Sequence, residues 1–111
     1  MAHKTAKIQS KQLYLSESDV PLCLLDSPAW FAWLETAATF RYFSAQRLQV
    51  AHTYYCALRP ISLRQEQRRH SFLWYAYLRS HGRLHKRYVG KSSALTEARL
   101  DEIALDLNQQ W

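Results

Sequence analysis

The chain has 111 residues, with 15 Lys and Arg against nine Asp and Glu, a net charge of +6. That is long enough for one domain with a modest core and too short for a nucleotide-binding domain plus a second module. Four Trp and seven Tyr with only two Gly and three Pro argue against disorder, because so many rings have to be buried or stacked.

Residues 1–12 are polar and basic and read as a flexible start, with 13–111 as a single α+β domain. An extended piece around Gln12–Leu15 leads toward the sheet. Asp26-Ser27-Pro28 is a helix start: Ser27 suits the cap and Pro28 the first helical position. A helix of about ten residues is expected there, with Trp30, Phe31, Leu34 and Ala38 as a core-facing stripe. Thr39-Phe40-Arg41-Tyr42-Phe43 is rich in β-formers and predicts a strand. The apolar, aromatic run Val50–Leu58 reads as a strand in preference to a helical insertion, interrupted by Pro60. Ile61-Ser62-Leu63-Arg64 alternates, and the QEQRRH that follows reads as a strand end or a loop.

Phe72–Arg79 and Leu84–Gly90 are β-rich runs around Ser80-His81-Gly82-Arg83, where Gly82 can take the positive φ of a tight turn. With Arg79 opposite Leu84, Tyr77 faces Lys86 and Tyr75 faces Tyr88. One side of this hairpin then carries Tyr75, Tyr77, Arg79, Lys86 and Tyr88, and the other Trp74, Ala76, Leu78, Arg87 and Val89. The second side is assigned to the core. Thr96 caps a last helix whose Leu100, Ile103, Ala104, Leu107 and Trp111 recur at helical spacing, with Glu97, Asp101 and Glu102 in its first turns. So acidic a helix would repel phosphate and is not a recognition helix. The expected fold is α+β: an antiparallel sheet of three to five strands, a C-terminal helix on one face and a short N-terminal helix.

The charge is local. Residues 59–91 hold nine Lys and Arg against Glu66, a local +8 that leaves −2 for the remainder. Interleaving with tyrosines gives this run the ingredients of a nucleic-acid interface, since cations neutralise phosphates while rings stack on bases or ribose. The candidate contact residues are Arg64, Arg68, Arg69, Tyr75, Tyr77, Arg79, Arg83, Lys86, Arg87, Tyr88 and Lys91.

WFAWL (30–34), WYAYLR (74–79), KRYVGKS (86–92) and LTEARLDEIA (95–104) occur in an order that resembles a known module. It is the N-terminal module that precedes the ATPase and helix-turn-helix portions of LuxR-type, MalT-like bacterial transcriptional regulators, and the resemblance spans about residues 21–108. The hairpin–Gly–Leu-Thr-x-Ala-Arg–helix order is more distantly similar to the arm-type DNA-binding domain of tyrosine recombinases, with Ala98-Arg99 matching the first-turn Ala-Arg of its helix. There a three-stranded sheet backed by a helix enters the major groove, which implies that the sheet face binds DNA here.

Catalysis has no support in the sequence: there is no assignable nucleophile–base pair and no phosphate-cradling glycine loop. Cys23 and Cys56 lack CxxC spacing, and His81 and His85 flank a turn, so neither a metal nor any cofactor is expected. No apolar stretch approaches the roughly 18–20 residues of a membrane span, and the opening residues lack the core of a secretory signal, so a cytoplasmic location is expected. The expected role is a small DNA-binding protein of the transcription-regulator or mobile-element type, with duplex DNA as partner and single-stranded nucleic acid second. The alternative is a module that docks on a larger protein through an exposed edge strand and aromatic surface.

Overall fold

The computed structural model describes residues 6–15, 20–51 and 54–109. Period-two alternation produces one side of the sheet, from its middle strand to one edge: β4 (Thr39–Tyr42), β7 (Ile61–Arg68), β8 (Ser71–Ser80) and β9 (Arg83–Gly90) are consecutive antiparallel neighbours. Three shorter strands extend it: β1 (Ala6–Gln9), β2 (Gln12–Tyr14) and β3 (Cys23–Leu24), giving the order β3-β2-β1-β4-β7-β8-β9. The sheet therefore has seven strands where three to five were expected, and it is mixed, because β1 runs parallel to β4. Residues 6–12, read as part of a flexible start, instead enter these strands: the Ser10-Lys11 turn (φ 54° and 65°) folds β2 back on β1. The Val50–Leu58 run also departs from expectation. It is divided between β5 (Arg47–Ala51) and β6 (Tyr54–Ala57), which form their own antiparallel pair.

The hairpin has the expected register. Arg79 pairs with Leu84, Tyr77 with Lys86 and Tyr75 with Tyr88. His81 and Gly82 both take positive φ (52° and 77°), the two-residue geometry whose twist matches the flanking strands. Val89 faces inward by alternation, and a bulge beyond it sets Trp74 opposite Gly90, which has φ 136°. A Cβ on Gly90 would lie 3.1 Å from the Cβ of Ala94, so glycine permits the chain to fold into the 3₁₀ turn Ser92–Ala94.

Both helices cover the same face of the sheet. In α1 (Pro28–Leu34), shorter than the ten residues expected, the Ser27 hydroxyl accepts from the Trp30 amide. In α2 (Glu97–Asn108) the Thr96 hydroxyl accepts from the Arg99 amide. Their buried side chains Trp30, Leu34, Leu100, Ile103, Ala104 and Leu107 meet Ile8, Leu13, Phe40, Ile61, Leu63, Trp74, Ala76 and Leu78 in one core. Ala38 of the predicted stripe is exposed, beyond the helix end, and Trp111 lies outside the described residues. Phe40 touches the rings of Trp30, Trp33 and Trp74 at centroid distances of 5.3, 5.8 and 5.3 Å. Each buried indole N–H has an acceptor: Trp30 donates to the Leu95 carbonyl at 2.7 Å and Trp74 to the Ser92 hydroxyl at 3.0 Å. Among the described residues no helix is long and apolar enough to cross a membrane.

Trp74 is fully buried at the centre of this core. Trp74→Ala is expected to cost roughly 3–5 kcal/mol, a large share of the stability of so small a domain. Thermal unfolding measures it, and an unchanged Tm would contradict the assignment of this face to the core.

Candidate nucleic-acid interface

Because both helices pack on one face, alternation directs the remaining side chains of the strands to the opposite, open face. Strand register aligns them in rows. One row crosses β2, β1, β4, β7, β8 and β9 as Tyr14, Lys7, Arg41, Ser62, Tyr77 and Lys86. The next holds Thr39, Arg64, Tyr75 and Tyr88. Arg68 and Arg79 lie on the same face of β7 and β8, and Glu66 is the carboxylate among them. The first row spans five strand intervals, roughly 24 Å.

Aromatic and cationic groups on this face hold one another. The Lys86 ammonium sits 4.3 Å from the Tyr75 ring centroid and 5.5 Å from that of Tyr77, and the Arg68 guanidinium 5.3 Å from Tyr75. Tyr75 and Tyr88 make an edge-to-face pair with centroids 5.6 Å apart, which leaves Tyr88 half exposed. Glu66 accepts from the Tyr77 hydroxyl, from Arg68 at 2.5 Å and from Lys86 at 3.4 Å. The Tyr77 hydrogen bond, with Lys86 and Arg68 beside it, holds the Glu66 carboxyl below the usual carboxylate range. The Tyr77 hydroxyl itself is pushed up, by desolvation first and by Glu66 second. Among the described residues the guanidiniums of Arg41, Arg59, Arg64 and Arg79 meet no carboxylate, so their charge is directed to solvent.

The carboxylates of α2 are engaged away from this face. Asp101 accepts from the hydroxyls of Tyr42 at 2.5 Å and Ser44 at 2.8 Å, Asp106 pairs with Arg87 at 2.5 Å, and Glu102 pairs with Arg99 at 3.0 Å. Desolvation and then the Asp101 carboxylate push the Tyr42 hydroxyl well above its ordinary value, so that it remains a donor. The molecule is thus basic on the open sheet face and acidic behind it.

The structure brings seven of the candidate residues together on the open face: Arg64, Arg68, Tyr75, Tyr77, Arg79, Lys86 and Tyr88. It places four elsewhere. Arg87 points to the helix side, in its ion pair with Asp106, because alternate residues of a strand face opposite ways. Arg83, of the same parity, is exposed at the hairpin tip, and Arg69 occupies the β7–β8 turn at φ 57°. Lys91 follows β9 and borders a hollow with Glu35, Phe72 and Ser92. Lys7, Tyr14 and Arg41 join the face without having been singled out. The signal for Arg41 is the exposed–buried–exposed–buried order of Thr39–Tyr42: with Phe40 and Tyr42 inside, Arg41 has to face out. Among the described residues no group of three or more His, Cys, Asp or Glu is placed to hold a metal ion.

β7 and β8 run on past their neighbours. β4 ends opposite Arg64 and β9 ends opposite Trp74, so Glu66–Arg68 and Ser71–Leu73 form a two-stranded ribbon capped by Arg69 and His70. Phe72 on this ribbon is 57% exposed.

A carboxyl whose folded-state value is lowered stabilises the fold at neutral pH, and that contribution is lost as pH falls through the lowered value. Glu66→Gln is therefore expected to reduce Tm at neutral pH, with the gap from wild type closing in acid. Thermal unfolding of both proteins across that pH range measures it, and a gap independent of pH would show that the Glu66 charge contributes nothing.

Comparison of the chain with protein-family models, with curated proteins and with solved structures found no match.

Proposed function

We propose that the protein binds duplex DNA with the open face of its sheet, in the manner of a transcription-regulator or mobile-element module. The observation that carries this reading is the segregation of charge. Lys7, Arg41, Arg64, Arg68, Arg79 and Lys86 share one face with Tyr14, Tyr75, Tyr77 and Tyr88, while the carboxylates of α2 are paired behind it. Charges confined to one face generate a directed field that draws a polyanion, whereas evenly spread charge only aids solubility.

The shape favours a division of labour. A seven-stranded sheet is too wide for the roughly 12 Å major groove, but a two-stranded ribbon fits it. The β7–β8 extension supplies Arg68 and Arg69 at groove depth, and the wider face supplies phosphate contacts that fix register. The resemblance to the arm-type domain, whose sheet enters the major groove, favours this reading.

A second reading rests on the other edge of the sheet. Val20, Leu22 and Leu24, at and just before β3, are 73, 53 and 56% exposed and lie away from the cationic strands. An apolar edge of this kind suits a protein partner, and its binding would respond little to salt.

Gel-shift titrations with mixed-sequence duplex at two salt concentrations test the proposal. Binding is expected to fall by a factor on the order of a thousand between low and moderate salt if six or so phosphates are engaged. Arg64→Ala is expected to lower the salt slope by about one and to weaken binding to all sequences alike. Arg87→Ala, on the helix side, is expected to leave the slope unchanged. Equal behaviour of the two variants and the wild type would remove the open face from the interface.

A further inference from the structure

At the β7 start of the open face lies a hollow of about 360 Å³, lined by Arg41, Arg59, Pro60, Ser62, Tyr77, Leu78 and Arg79. Its floor follows from the row Arg41, Ser62, Tyr77: the small serine sits between two long side chains, whose strands are two spacings, roughly 10 Å, apart. Arg59 and Arg79 close the rim. The backbone from which Arg59 projects is held in position, since its amide donates to Asn108 Oδ1 at 2.8 Å and its carbonyl accepts from Asn108 Nδ2 at 3.2 Å, with Pro60 next. Among the described residues no carboxylate reaches these three guanidiniums, so the hollow gathers three positive charges and a hydroxyl around an empty centre.

We propose that this hollow is a binding site for a phosphate monoester, the terminal phosphate of a nucleic-acid strand or of a free nucleotide. Guanidinium forks match the oxygens of a phosphate, and their charge is more fully answered by a monoester, at about −1.5 to −2, than by a backbone diester with its single charge. The Ser62 hydroxyl supplies a further donor at the floor, and the Tyr77 ring a wall against which the attached sugar or base can lie. The site goes beyond the duplex reading, because it recognises an end or a nucleotide and needs no groove.

The test compares duplexes with 5′-phosphate and 5′-hydroxyl ends by fluorescence anisotropy, and thymidine 5′-monophosphate with thymidine by NMR titration. The phosphorylated duplex is expected to bind about tenfold more tightly than the hydroxyl duplex, and the monophosphate to bind where thymidine does not. Ser62→Phe, which fills the hollow and leaves every charge in place, is expected to abolish both preferences, with the hydroxyl duplex as the reference for any general effect on the face. Arg59→Gln at the exposed rim is expected to do the same without burdening the fold. Monophosphate binding without an end preference supports the site and identifies the free nucleotide as its source. Monophosphate binding with no duplex binding overturns the DNA reading and leaves the site standing. Failure of both phosphate preferences in the wild type, or their survival in Ser62→Phe, overturns the proposal.

Discussion

The contact of Phe40 with Trp30, Trp33 and Trp74 decides which way the sheet faces. These rings join the strand nearest the centre, the first helix and the long strand β8, and the indole hydrogen bond from Trp30 to the Leu95 carbonyl ties in the approach to the last helix. In a strand, one residue of slippage moves every side chain to the other face. Once Phe40 and Trp74 are inside, Arg41 and Tyr75 have to be outside, and so do their partners across the sheet. The interface is the complement of the core, and its composition is set by the same parity.

That dependence explains what was legible in the sequence. Strands β8 and β9 are long enough to show their alternation, Gly82 marks their turn, and Thr96 with its stripe marks the last helix, so register and face could be read in advance. The first three strands are four, three and two residues long, below the length at which a period of two is visible. Their turn at Ser10-Lys11 has left-handed backbone without glycine, and so carries no turn signature. For the same reason Lys7 and Tyr14 were not recognisable as members of the face. Between β5 and β6 neither glycine nor proline marks a break, which is why the two strands read as one. Arg83 and Arg87 show the opposite error: the hairpin register already put Arg87 on the core side, and the run of charge alone placed both among the contact residues, although half of a strand's residues point away from any one surface.

The open face is held in shape by interactions that also moderate it. Glu66 draws Arg68, Lys86 and the Tyr77 hydroxyl together, and the tyrosine rings lie against the same cations. These side chains have less conformational entropy to lose when a ligand arrives, at the expense of sharing part of their charge with a carboxylate. Arg41, Arg59, Arg64 and Arg79 differ: they meet no carboxylate and keep their full attraction for an anion.

The parallel pairing of β1 with β4 divides the sheet into two units of unequal strength. On one side are the four-residue β4 and three strands of eight to ten residues joined by tight turns, and on the other strands of two to four. The strands of the pair are distant in sequence, so it forms at a greater loop-closure cost than the hairpins. Lys7 and Arg41 face each other across this seam. Their mutual repulsion loosens it, and an anion bridging the two would draw the halves together, so that a ligand on the surface would also act as a rivet between two parts of the fold.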